Sequence, residues 1–187
     1  MNVLYYDCFA GISGDRHLAA LLDLGVDYDE LTVELASLGL EGYGLQAGRA
    51  NRKGISGTQV RVVIDPQQPP HRDLTEIEAL IGASSLKEPV RGRALAVFQR
   101  LATTEARLHG TSPEQLHLHE VGALNTIIDI VAGAIALGRL NVDRVLCSPV
   151  QMGGGLVERE LGVLPVPTPT TLELLKGMPV SYTHLTL

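Results

Sequence analysis

Val3-Leu4-Tyr5-Tyr6-Asp7-Cys8-Phe9-Ala10-Gly11-Ile12-Ser13-Gly14-Asp15 reads as a strand, a glycine turn and the start of a helix. Val3 to Tyr6 is a short apolar run suited to a buried strand. Leu18, Leu21, Leu22 and Val26 then recur at helical spacing, with Ala19 and Ala20 between them. A strand that feeds a helix through Gly-Ile-Ser-Gly sets an α/β reading from the first residues. The turn allows close approach of a ligand and points free N–H groups outward. Two uses fit Gly11, Ser13, Gly14 and Asp15. They receive an anionic group at the helix N-terminus, where the dipole contributes about 0.3–1 kcal/mol per charge. Alternatively, Ser13 only caps the helix and Asp15 sits well in its first turn. The spacing is not that of a phosphate-binding loop. Cys8 beside the turn is either a thiol acidified by the dipole or a small buried apolar group.

A second concentration of chemistry is His117-Leu118-His119-Glu120-Val121-Gly122-Ala123, followed by an apolar segment carrying Asp129. Imidazole and carboxylate are ligands for divalent transition metals such as nickel or zinc. If Leu118 is extended, His117 and His119 point to one face. His117, His119, Glu120 and Asp129 are therefore candidate metal ligands. The competing reading makes the histidines ordinary hydrogen-bonded residues and gives Asp129 a place near a helix N-terminus. No residue stands out as catalytic.

Between these segments the periodicities predict helices over 29–38, 74–82, 89–109, 125–140 and 170–176. Asp73 and Glu76 form a capping-box pattern. Leu95, Phe98, Leu101 and Leu108 would give the long fourth helix its apolar face, with Ala94 and Ala102 beside it. Strands over 45–49 and 59–64 pair as a hairpin, the second buried on both faces; 142–147 adds another strand. The prolines from Leu164 to Pro169 imply an extended stretch that joins no ladder. The Pro/Gln connector over 65–72 is a candidate hinge. The expected fold is α/β, a mixed sheet packed with helices in a sandwich-like arrangement.

The chain has 187 residues, 45% of them hydrophobic but only 4% aromatic. A chain of this size buries about 70% of its unfolded surface, enough for one core. Leu, Val, Ile and Ala must supply it. A formal charge of −6 and the lack of a basic stripe argue against nucleic acid. Cys8 and Cys147 are too few for a disulfide framework and too far apart in sequence for a cysteine-rich zinc module, which fits a cytosolic setting. The N-terminus lacks signal-peptide features, and the most apolar run, 127–137, is too short to span a bilayer.

Taken together, Asp7 to Asp15, Gly54-Ile55-Ser56-Gly57-Thr58, His119-Glu120-Val121-Gly122-Ala123 with Asp129, and Leu164-Pro165-Val166-Pro167 leading into Thr171 to Gly177 resemble the LarC family of nickel-insertion proteins. The likeness runs in the family's order over residues 1–180. It implies a cytoplasmic protein that places nickel into pyridinium-3,5-bisthiocarboxylic acid mononucleotide during nickel-pincer cofactor biosynthesis. CTP and a divalent cation would serve the full-length family, a nickel chelatase of the lyase class. Its C-terminal nucleotide-binding part is expected to lie outside this chain, and residues 181–187, with His184, do not resemble the continuation. This chain alone is therefore expected to be inactive, with that part or a separate chain as its partner and self-association left open. Departures stand at Asn125, where the family has Asp; at Arg16, where it has Met; at Leu161, where it has His; and at 65–70, where its His-rich loop is cut to His71. Two further readings are a non-catalytic subunit that docks nickel or precursor, and a metal-dependent phosphate-ester hydrolase using metal-bound water.

Overall fold

The computed structural model describes residues 1–67, 71–116, 123–159 and 162–182. Strand β1, Val3–Tyr6, leads through the glycine turn into α1, Gly14–Asp23, and α2, Tyr28–Ala36. Next come β2, Tyr43–Arg52, and β3, Ile55–Ile64, an antiparallel hairpin closed by Lys53 and Gly54. Helices α3, Leu74–Ala83, and α4, Glu88–His109, follow. Asp73 and Glu76 close the capping box at α3, each side chain accepting from the other's backbone N–H at 2.8 and 3.0 Å. Pro89 occupies the first turn of α4, and Gly110 ends it.

Helix α5, Leu124–Arg139, is the centre of the molecule and packs on α1, α2, α4 and β3. Ile127, Ile128, Val131 and Ile135 are fully buried in it, facing Leu18 and Leu21 of α1, Leu31 and Leu35 of α2, and Phe98 of α4 within one core. Each such side chain contributes about 1.5–3 kcal/mol relative to exposure. Arg139, in the last turn, binds Glu34 of α2 at 2.5 Å and also Glu30.

The expected apolar face of α4 is only partly the observed one. Phe98 is buried, but Leu108 is 44% exposed, and the buried stripe runs through Val90, Ala94, Ala102 and Ala106. Where α4 meets α5, Val90 lies beside Gly138 and Arg93 donates to the Ala134 carbonyl at 3.1 Å.

After α5 the chain forms β4, Arg144–Cys147; β5, Val150–Gln151; β6, Leu156–Arg159; and β7, Gly162–Pro165. Helix α6, Pro169–Leu174, and β8, Val180–Ser181, follow. Mixed α/β composition is as expected. In detail the described strands form four two-stranded sheets: β1–β4 and β5–β8 parallel, β2–β3 and β6–β7 antiparallel. Two expectations fail locally. Val63 is 46% exposed, because helices cover only one face of the hairpin. Leu164 and Pro165 do join a ladder, opposite Val157 and Leu156; an edge position tolerates a proline without its N–H. Among the described residues no helix is long and apolar enough to cross a membrane.

Candidate functional site

The turn after β1 is held from both sides. The Cys8 carbonyl accepts from Gly11 N at 3.0 Å and from Gln151 N at 3.2 Å, which ties the turn to the segment after β4. Gly11 has φ +78°, and a Cβ there would press on the Gln151 carbonyl oxygen at 3.3 Å, so glycine is required twice over. Ser13 occupies the N-cap position of α1 in extended conformation but makes no side-chain capping bond. Its hydroxyl donates to Asp15 Oδ1 at 2.5 Å instead.

The face of α1 beyond this turn interlocks with α5. A Cβ on Gly14 would collide with the Asp129 carboxylate. One turn further along each helix the roles reverse: a Cβ on Gly133 would lie 3.1 Å from His17 Cε1. Two glycines thus admit one carboxylate and one imidazole into a helix–helix crossing. Asp129 lies in the second turn of α5, beyond the reach of that helix's own N-terminal dipole, and packs against the first residue of α1 instead. Its Oδ1 is buried with no hydrogen-bond partner among the described residues. Burial, reinforced by the charge of Asp15, raises its pKa to about 6. His17 Nε2 is 2.7 Å from the Tyr6 hydroxyl, and burial lowers the imidazole's pKa, so the ring is neutral at pH 7.

Of the residues the sequence singled out, Gly11, Ser13, Gly14, Asp15 and Asp129 gather at this mouth. His117, His119 and Glu120 lie outside the described residues. Among the described residues no three His, Cys, Asp or Glu side chains form a metal-ligand group. Cys8 is buried, and its pKa is pushed up to about 11 by burial and by its contact with Cys147, the opposite direction from a dipole-acidified thiol. His17 escaped the sequence reading; its only signal was a position three residues after Gly14, on the same helical face.

The family model described as "Nickel insertion protein" matches residues 4–186. The chain belongs to the nickel insertion protein family. A relative from Syntrophobacter fumaroxidans is 50% identical over 180 residues, covering 96% of this chain and 46% of its own length. Proteins from Desulfitobacterium hafniense and Geobacillus kaustophilus are named pyridinium-3,5-bisthiocarboxylic acid mononucleotide nickel insertion proteins. The first is 46% identical over 181 residues, covering 96% of this chain and 44% of that protein. The second is 44% identical over 194 residues, covering 99% and 47%. The chain thus spans less than half the length of these relatives. No solved structure matches it.

Three clefts meet at Arg16. One of about 450 Å³ lies between α1 and the β2–β3 hairpin, beside Asp15 and Ala19. A second, of about 690 Å³, runs from Gly11 and Ile12 to Gly153, Gly154 and Thr171. The third, of about 240 Å³, follows β1 past Cys8 to His17. A guanidinium at their junction offers an anion a fork of donors that methionine lacks.

Proposed function

We propose that this chain handles nickel as a substrate and presents it to pyridinium-3,5-bisthiocarboxylic acid mononucleotide, the molecule in the names of the D. hafniense and G. kaustophilus relatives. One observation carries the reading: the half-buried Asp129 carboxylate, its Oδ1 buried without a partner among the described residues, set against the first turn of α1 and close enough to Asp15 for their charges to repel. A divalent cation turns that repulsion into attraction. Two crowded carboxylates disfavour an anion at the same spot, which assigns Asp15 and Asp129 to metal. The anionic end of the precursor goes to Arg16 and the glycine-lined cleft of about 690 Å³. His117, His119 and Glu120, a few residues before α5 in sequence, complete the ligand set. With three of these five bound at a time, positions stay open, as transfer demands. CTP and its divalent cation act, on this reading, with the part of the family's length that this chain does not span.

Nickel titration tests it. Asp129→Asn and the double variant His117→Ala/His119→Ala, each checked for fold by circular dichroism, are expected to bind nickel at least tenfold more weakly. Unchanged affinity in folded variants rejects these ligands. The coverage of 46% or less of those first two relatives favours a second, narrower reading, in which the chain docks nickel for a catalytic partner. Insertion by this chain alone would reject that version.

A further inference from the structure

Cys8 and Cys147 are 139 residues apart in sequence, yet the parallel pairing of β1 with β4 brings their sulfurs to 3.6 Å. Both thiols are free. The backbone around them is fixed: Tyr6 is paired with Cys147, Ser148 N donates to the Tyr6 carbonyl at 2.9 Å, and Cys8 N donates to Ser148 Oγ at 2.8 Å. We propose that this pair is a dithiolate seat for nickel, which holds the ion before it passes to the precursor; the proposal rests on the nickel-handling reading above.

The spacing carries the argument. Two thiolates bound at about 2.3 Å to one ion lie about 3.8 Å apart in a tetrahedral site and about 3.3 Å apart at a square-planar right angle. The observed separation falls between these, so an ion enters without moving either strand. A disulfide would need the sulfurs to close to about 2.05 Å. Soft sulfur ligands suit nickel in transit to an acceptor whose own name specifies thiocarboxylic acids, since the exchange is sulfur for sulfur. Access is built in. Cys147 is exposed, and Cys8 lines the small cleft that shares Gly11, Ile12 and Arg16 with the larger one. Binding breaks two S–H bonds and forms two Ni–S bonds, releasing two protons to solvent. Nickel stays divalent and no electron moves.

The test titrates the chain, reduced with a phosphine, with nickel chloride, and follows thiolate-to-nickel charge-transfer absorption alongside affinity by chelator competition. The wild type is expected to develop the absorption at one nickel per chain. Cys147→Ser, at an exposed site, and Cys8→Ser are each expected to abolish the absorption and weaken binding at least tenfold while the circular dichroism spectrum is retained. If Cys8→Ser fails to fold, Cys147→Ser decides alone. Nickel bound without the absorption, or bound equally by folded Cys147→Ser, overturns the dithiolate. If that same binding is weakened by Asp129→Asn, the nickel-handling reading survives. A wild type that binds no nickel overturns both.

Discussion

Replacing Asp129 with Asn should make the fold more stable and nickel binding worse. The carboxyl's pKa is about 6 in the fold, against 3.8 ordinarily, so folding favours its protonated form. The sign follows. A raised folded pKa contributes stability that is fully present below the unfolded value and is lost as pH rises through the folded one. Above pH 7 the wild type therefore carries the whole cost of the buried charge. A shift of this size corresponds to about 3 kcal/mol at 1.36 kcal/mol per unit. Asp129 is only partly buried, and solvent screening reduces the figure to about 1–2 kcal/mol. For a chain of this length that raises Tm of Asp129→Asn over wild type by about 2–8 °C at pH 8. The cost in the wild type falls to about a third at pH 4.5, so the gap between the two proteins should shrink accordingly. Urea unfolding of both proteins at pH 8 and pH 4.5 reads the difference directly, and contributions from other titrating groups cancel. A variant less stable than wild type at both pH values, or a gap that does not change between them, refutes the reasoning.

Gly14→Ala places a methyl against the Asp129 carboxylate and should cost about 1–3 kcal/mol in chemical denaturation. The same change in an Asp129→Ala background should cost far less, and a double-mutant cycle with no coupling would exclude the contact. Phe98→Ala empties a fully buried position of the core and should destabilise by about 3–5 kcal/mol in urea, with circular dichroism as the probe.

Legibility in the sequence divided along the range of the interactions. Asp73 with Glu76, Pro89 and Gly110, and the β2–β3 hairpin are settled within a few residues, and each stands where local chemistry placed it. The pairing of β1 with β4 is different. It joins residues some 140 positions apart, and nothing in Val3–Tyr6 or Arg144–Cys147 marks the partner. That is why the approach of Cys8 to Cys147 was invisible. On α4, Phe98, Ala94 and Ala102 are buried and Leu95 and Leu101 pack on the core as their spacing indicates, whereas Leu108, near the helix end, is 44% exposed. At the site, Asp129 was legible as a charge on an apolar segment. His17 was not, because its meaning depends on Gly133 of another helix.

The α1–α5 crossing breaks three local rules at once. Gly133 stands inside a helix, where glycine costs about 1 kcal/mol relative to alanine, and Gly14 opens one; both make room for polar groups rather than for tighter apolar packing. Asp129 adds a carboxylate oxygen with no partner among the described residues. Violations of this kind, concentrated where the rest of the core is consistent, point to function rather than to stability. The energetics can then shift on binding. A cation that seats against Asp15 and Asp129 removes the repulsion raising the Asp129 pKa and adds RT ln(1 + [L]/Kd) to the stability of the protein that binds it. At a hundredfold excess over the wild-type Kd this is about 2.7 kcal/mol, against about 1.4 kcal/mol for a variant that binds tenfold more weakly, so nickel favours the wild type by about 1.3 kcal/mol. Without nickel, Asp129→Asn should therefore melt above the wild type; with nickel, the gap should close by about 1.3 kcal/mol. A residue kept only for packing gives no such narrowing, because its replacement leaves the gap the same with and without nickel.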